Sequence, residues 1–258
     1  MHPKNSRYRS KPKLLDRVGA SMRVRDYSPR TIQAYTHWIK RFILFHNKTH
    51  PAQMGEKEIT TFLTDLAVKQ KVSPSTQNQA LQALIYLYKN VLNKPLGWVN
   101  IPRSRRSPHI PMVYSRREVK EILSHTDDVY RLILQLVYGA GLRLSECLRL
   151  RIKDVDFEQS HIVVRDGKGH KDRVTVLPER LMAPLKKQIE RVRLRHEKDQ
   201  ADGFGVTVLP YALSKKYPAA ANELGWQYVF MAKGLLHDKK GNTKRRYHIH
   251  SSSVQKRF

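Results

Sequence analysis

A cluster of prolines limits how this chain of 258 residues can fold. Proline has no backbone N–H and therefore removes a hydrogen bond from any helix or β-ladder that contains it. Residues 93–114 contain Pro95, Pro102, Pro108 and Pro111. The sequence therefore predicts two domains, residues 14–92 and 115–258, which are joined by an extended linker at 93–114 and preceded by a basic arm at 1–13.

The linker is also basic, because Arg103, Arg105 and Arg106 lie between its prolines. Two interpretations are open. An ordinary surface loop would carry such residues in solvent, whereas a linker that follows a nucleic-acid backbone would use them to neutralise phosphates. The close spacing of the three arginines favours the second interpretation.

The overall charge points in the same direction. The chain has 49 Lys and Arg against 22 Asp and Glu, which gives a formal charge of +27. Such a field is of no use to an enzyme for small metabolites, but it attracts a polyanion. Nucleic acid is the first candidate and an anionic membrane surface the second.

The remaining composition excludes several classes of protein. The single cysteine, Cys147, excludes an intramolecular disulfide framework and a multi-cysteine zinc site, and it fits a reducing compartment. No apolar run approaches the roughly 18 residues of a transmembrane helix. His248 and His250 have basic neighbours that would repel a metal cation. We therefore expect a cytoplasmic, nucleoid-associated protein without metal, other cofactor or membrane contact.

Residues 14–92 have the pattern of a helical bundle. Ser28-Pro29 and Ser73-Pro74 each combine an N-cap serine with a proline at the first helical position. Apolar residues recur after each start at steps of three and four. We expect about four helices packed around one core.

Residues 115–258 mix helical and β patterns. Ser115-x-x-Glu118 is a capping box that starts a helix. Further along, the β-branched runs His161–Val164 and Val174–Leu177 flank the turn sequence DGKG at 166–169, which is typical of a β-hairpin. The predicted fold is therefore mainly α with a small β-hairpin or sheet.

Two positions in this domain suggest phosphate chemistry. Arg143 follows the glycines of Gly139-Ala140-Gly141 at a turn before a helix, where its planar guanidinium would be preorganised to hold two phosphate oxygens. Glu146, one turn on, could orient that guanidinium. Lys168 lies at the tip of the hairpin and could act as a general acid if its pKa were lowered. Taken singly, Arg143 could equally be an inert surface arginine, and Lys168 is better explained as a solubilising turn lysine.

In their order along the chain, these features resemble the tyrosine recombinases, and within them the integron integrases. The resemblance is carried by GAGLRLSECLRLRIKDVDF (139–157), VVRDGKGHKDRVTVLP (163–178) and STQNQALQALIYLYKNVL (75–92). It continues through about 211–255, which matches an additional segment that is characteristic of that branch and is here called the extra segment. The resemblance implies an N-terminal SAM-like core-binding bundle and an incomplete α+β catalytic domain that acts on DNA through a 3′-phosphotyrosine.

The resemblance also implies roles for individual residues. Arg143 matches the first phosphate-clamping arginine, Lys168 the hairpin lysine that protonates the leaving 5′-oxygen, and Glu146 the supporting acid. Trp226 matches an aromatic position that stacks on an extruded base. The residues expected to contact DNA are Arg103, Arg105, Arg106, Lys171, Arg173, Trp226 and His248. The implied partners are duplex DNA and folded single-stranded recombination sites, on which the family assembles as tetramers, and we expect the two domains to enclose DNA as a C-shaped clamp.

Part of the family pattern has no counterpart here. No His-x-x-Arg follows residue 200, and the matching tyrosine nucleophile is missing. We therefore expect a truncated member that does not cleave DNA by itself, and we expect Leu132 and Leu136 to be partly exposed in a marginally stable second domain. The alternatives are a non-catalytic DNA-binding protein and, less well supported by Arg143 and Lys168, an RNA-binding protein.

Overall fold

The structure, a computed structural model, describes residues 12–94, 96–97, 112–167, 171–210, 213–238 and 243–257. The chain divides into two compact units, residues 1–111 and 112–258. The predicted contact residues Arg103, Arg105 and Arg106 and the predicted general acid Lys168 lie outside the described residues.

The first unit is helical. Ser28 and Ser73 accept hydrogen bonds from the backbone N–H groups of Thr31 and Thr76, so both predicted N-caps are confirmed. The last turns of the fourth helix widen into a π-helical segment at Leu87–Val91. The α-helices are α1 (Leu14–Val24), α2 (Pro29–Phe45), α3 (Glu56–Val68) and α4 (Pro74–Tyr86).

One apolar core holds these helices together. Its largest fully buried side chains include Phe42 of α2, Phe62 of α3 and Tyr88 after α4, whose hydroxyl donates to the carbonyl oxygen of Pro51 at 2.9 Å. The rings of Phe42 and Phe62 pack edge to face, with centroids 5.6 Å apart. The predicted apolar stripes therefore form the interior of a four-helix bundle.

The second unit begins with the predicted capping box, in which Ser115 and Glu118 bond reciprocally to each other's backbone N–H. Pro178 stands at the N-cap of its longest helix. Its helices are α5 (Arg116–Ser124), α6 (Asp128–Gly139), α7 (Leu144–Leu148), α8 (Glu179–Ala201), α9 (Leu213–Lys216) and α10 (Ser251–Gln255).

Two small antiparallel sheets complete this unit. The first has the order β1 (Val155–Asp156), β2 (His161–Val164) and β3 (Arg173–Val176), with Val164 paired to Arg173, so the predicted hairpin is confirmed. The second pairs β4 (Leu236–Asp238) with β5 (Thr243–Arg245). The mainly α fold with small β elements is confirmed.

The extra segment is made of short helical and strand elements joined by turns, and polar side chains help to hold it against α8. Arg246 forms a two-pronged ion pair with Asp199, and the two side chains are only 7% and 8% exposed. His196 donates from Nε2 to the carbonyl oxygen of Asn222 at 2.8 Å, and Gln188 donates to that of Val229 at 2.9 Å. The segment therefore docks through buried hydrogen bonds as well as through apolar contacts.

The prediction that Leu132 and Leu136 are partly exposed is wrong. They are 6% and 0% exposed and belong to a buried cluster with Leu185 of α8, Phe230 of the extra segment and Val254 of α10. The extra segment and α8 cover the face of α6 that we expected to be open. None of the helices within the described ranges has the length and apolar character needed to cross a membrane.

Candidate nucleic-acid interface

Arg143 is the N-cap residue of α7 and follows a tight turn. α6 ends at Gly139, and Gly141 takes a left-handed conformation with φ of 63°, which glycine adopts without strain. The hydroxyl of Thr175 on β3 donates to the carbonyl oxygen of Ala140 at 2.8 Å and anchors the turn to the hairpin. The Arg143 side chain is 56% exposed, so it projects from a fixed base into solvent.

Glu146 connects Arg143 to the hairpin. Its carboxylate is 2% exposed and accepts four hydrogen bonds, two on each oxygen. The backbone N and Nη1 of Arg143 donate at 2.8 and 2.7 Å. Nη1 and Nη2 of Arg173 on β3 donate at 3.0 and 2.9 Å. One buried carboxylate thus fixes two arginines from different elements.

These hydrogen bonds decide the charge state of Glu146. Burial acts to raise the pKa of its carboxyl, but the hydrogen bonds from Arg173 and from the backbone and side chain of Arg143 outweigh this and bring the pKa to about 2. The carboxylate is therefore ionised at any physiological pH and balances one of the two guanidinium charges.

Arg173 does not project freely as a DNA contact in this arrangement. Both its terminal nitrogens bond to Glu146, and Nη2 also donates to the carbonyl oxygen of Gly141 at 3.4 Å. Its side chain is 36% exposed. Arg173 therefore links the hairpin to the turn that carries Arg143.

The base of the hairpin loop packs against the same carboxylate. The backbone N of Gly167 donates to the carbonyl oxygen of Lys171 at 3.1 Å, and Lys171 itself is exposed. A Cβ at position 167 would lie 2.8 Å from that carbonyl oxygen and 3.5 Å from Oε1 of Glu146. A larger residue at this position would therefore force the backbone of the turn to shift.

A groove of about 740 Å³ lies between the hairpin and the extra segment. Glu146 lines it on one side and Trp226 on the other, so the structure brings these two predicted residues to one cavity. The lining also includes basic and aromatic side chains, namely Arg149, Arg151, Lys153, Arg165, Tyr217 and Tyr228.

Arg151 is a buried residue in the lining of the same groove as Trp226. It is 8% exposed, stacks over the ring of Tyr228 at 4.5 Å, and donates to the Tyr228 hydroxyl at 3.2 Å and to the carbonyl oxygen of Val208 at 2.8 Å. Sequence reasoning missed this residue. Arg149 and Arg151 alternate with leucines, and the pattern does not distinguish the exposed arginine from the buried one.

Lys153 covers part of Trp226. Its ammonium lies 3.2 Å from the centroid of the half-buried indole ring. Partial burial, with repulsion from Arg165 next, lowers the pKa of the ammonium. Lys153 was also not predicted, because nothing in the sequence distinguishes it from the other basic residues.

His248 lies in a different place. Its Nδ1 donates to the carbonyl oxygen of Ile249 at 2.8 Å, and its ring packs edge-on against Tyr228 at 5.2 Å. It lines a second cavity, of about 800 Å³, together with Asp127 and Tyr247. Trp226 and His248 thus border separate cavities.

Other candidate chemistry is limited. Within the ranges that the structure covers, no group of three or more His, Cys, Asp or Glu side chains is arranged to hold a metal ion. The thiol of Cys147 is fully buried, which raises its pKa and keeps it protonated.

The comparisons with known proteins agree with this architecture. Residues 14–98 match the model of the phage integrase N-terminal SAM-like domain, and residues 113–258 match that of the phage integrase family. An integrase/recombinase from Escherichia coli is 43% identical over 247 residues, which are 95% of this chain and 73% of the relative.

Two solved structures share the fold at low identity. The Tn1549 transposon integrase in complex with transposon right end DNA has a TM-score of 0.58 and 14% identity, over 86% of this chain and 72% of its own. A lambda integrase tetramer bound to a Holliday junction has a TM-score of 0.53 and 16% identity, over 69% of this chain and 53% of its own. The chain belongs to the phage integrase family of site-specific tyrosine recombinases.

Proposed function

We propose that this chain binds DNA for site-specific recombination of the integron-integrase type, with Arg143 holding a backbone phosphate. Lys168 is assigned as the proton donor to the leaving 5′-oxygen on the resemblance of the hairpin sequence. Lys171 and the linker residues Arg103, Arg105 and Arg106 are proposed to contact neighbouring phosphates, which positions the DNA without reading its sequence.

One observation carries the proposal: the exposed guanidinium of Arg143 is held at its base by a buried carboxylate that Arg173 also grips. An arginine fixed in this way loses little conformational freedom when it binds a phosphate. Arg173 is therefore proposed to act on DNA through Glu146, as a positioning residue.

The preference for folded single-stranded sites is the finer part of the proposal. Trp226 lines an open groove with basic side chains around it, and this combination suits an unpaired base with its flanking phosphates. His248, in the neighbouring cavity, is proposed to contact a second part of such a site.

Binding assays with Trp226→Ala test this part. We expect the variant to bind a folded DNA hairpin with one extruded base more weakly by about 1–3 kcal/mol, the value of one stacked base, and to bind plain duplex as the parent does. Tyr138→Ala, which removes an exposed ring elsewhere in the same unit, should change neither affinity. Equal losses on both DNAs would reject the stacking role.

Salt dependence tests the wider proposal. Most of the affinity should come from phosphates, so duplex binding should fall steeply as NaCl rises. An affinity that does not change with salt would contradict a role in DNA binding.

A second candidate is a DNA-binding protein that does not cleave. In this candidate the exposed guanidinium of Arg143 holds a DNA phosphate without activating it for cleavage. This candidate predicts that the protein, incubated with a nicked suicide substrate, forms no covalent protein–DNA adduct. An adduct that resists denaturation would overturn this expectation.

A further inference from the structure

The backbone around Lys153 is paired directly with the backbone around Trp226. Ile152 donates to the carbonyl oxygen of Gln227 at 3.1 Å, and Val229 donates to that of Leu150 at 2.9 Å. These long-range bonds fix the register between the two segments. Lys153 and Trp226 therefore face each other as a consequence of the fold.

The side chain of Lys153 also has a defined path. The Cβ that Gly225 lacks would lie 3.5 Å from Cβ of Lys153, so the lysine stem passes close to the backbone just before the tryptophan. Its ammonium then reaches 3.2 Å from the centre of the indole ring. A cation at this distance over an indole face is attracted by the ring quadrupole.

This position conflicts with stacking, because a base that stacks on that face must take the place of the ammonium. We propose that Lys153 is an internal competitor for the face of Trp226 and sets how strongly the groove discriminates an extruded base from paired DNA. The inference rests on the proposed function, in which Trp226 is the stacking residue.

The competitor role predicts effects of opposite sign for two substitutions. Lys153→Ala frees the ring face, whereas Lys153→Arg covers it more firmly because a guanidinium stacks flat on an aromatic ring. A lysine that merely contacts a DNA phosphate would behave differently: alanine would weaken binding, and arginine would leave it close to that of the parent.

The experiment compares two DNA hairpins, one with a single unpaired adenine and one with a thymine added opposite it. Selectivity is the dissociation constant for the paired hairpin divided by that for the unpaired one. We expect selectivity to rise about two- to fivefold in Lys153→Ala, the change that corresponds to one exposed cation–π contact, and to fall in Lys153→Arg.

Lys186→Ala is the matched control. It removes one charge from a lysine of the same unit whose ammonium lies 5.2 Å over Phe157, outside the lining of the groove. It should weaken binding to both hairpins equally and leave the selectivity unchanged. A selectivity in Lys153→Ala equal to or below that of Lys186→Ala would overturn the proposal.

Trp226→Ala separates the stacking role of Trp226 from the competitor role of Lys153. If this variant keeps the parent selectivity, the stacking role itself fails. If it abolishes selectivity while Lys153→Ala behaves like Lys186→Ala, stacking stands and the competitor role of Lys153 is rejected.

Discussion

The site around Arg143 and the extra segment are built in different ways. Arg143 and Glu146 are three residues apart and are joined by a helix cap, whereas Asp199 and Arg246, which fix the extra segment, are 47 apart. A local capping pattern can be recognised in a sequence, but a contact between distant polar residues cannot. The first region could therefore be inferred from its motif, while the second required the structure.

The two regions also differ in what their charges do. Arg143 keeps its guanidinium exposed, whereas that of Arg246 is buried and bonds to Asp199 and to the carbonyl oxygens of Ala232 and Lys233. The positive charge of the chain is therefore carried by exposed and by buried arginines. The variants below test how the two regions differ.

The largest effect is expected at the buried ion pair. Asp199→Ala leaves the guanidinium of Arg246 buried without its partner and should destabilise the second unit by about 3–5 kcal/mol in urea unfolding. Asp128→Ala is the control: it breaks an exposed pair with Arg191 and should lose less than about 1 kcal/mol. Similar losses in both variants would show that the extra segment is not held by this pair.

Glu146→Gln should have the next largest effect. The free-acid pKa near 4.5 falls to about 2 in the folded protein, so the ionised carboxylate contributes about 3 kcal/mol of stability above pH 4.5. That contribution is lost as the pH falls from about 4.5 through about 2.

Urea unfolding of the parent and of Glu146→Gln between pH 7 and pH 2 measures this contribution. The difference in stability between the two proteins should shrink across that interval, because the parent takes up a proton on unfolding that the variant cannot. A difference that stays constant with pH would contradict the bridging role of Glu146.

Gly167→Ala should have a smaller effect, about 1–3 kcal/mol, because the new methyl group meets the carbonyl oxygen of Lys171 at 2.8 Å and the backbone must shift. Gly225→Ala is the control, since its methyl group would make an ordinary contact at 3.5 Å. Thermal unfolding compares the two. A loss at 225 as large as that at 167 would mean that the hairpin turn has no special need for glycine.

The sequence predicted those parts of the fold that depend on local patterns. The caps at Ser28, Ser73 and Ser115 and the hairpin pairing of β2 with β3 are confirmed, because each is determined by neighbouring residues. The mainly α architecture followed from the same periodicities.

Burial of polar side chains could not be predicted. The sequence does not distinguish a buried charged residue from an exposed one. Only the long-range partners of Arg151, Asp199 and Arg246 show that these residues are structural. The burial of Leu132 was missed because the prediction did not include the cover that α8 and the extra segment provide. Trp226 was predicted by resemblance to stack on an extruded base. The structure places it in the lining of a groove, and its contact with Lys153 was not predicted. Its stacking role stays a prediction.

The central claim is that Arg143 is a preorganised phosphate ligand. A series of DNA sites, each with one phosphate replaced by a neutral methylphosphonate, tests it directly. For the parent protein, one replacement should weaken binding by about 1.5–3 kcal/mol, the value of a charge-assisted hydrogen bond. Arg143→Ala should lose that dependence, whereas Arg193→Ala, which removes an arginine held by Glu190 and Glu197, should keep it. If Arg143→Ala keeps the same dependence on that phosphate, Arg143 does not hold it.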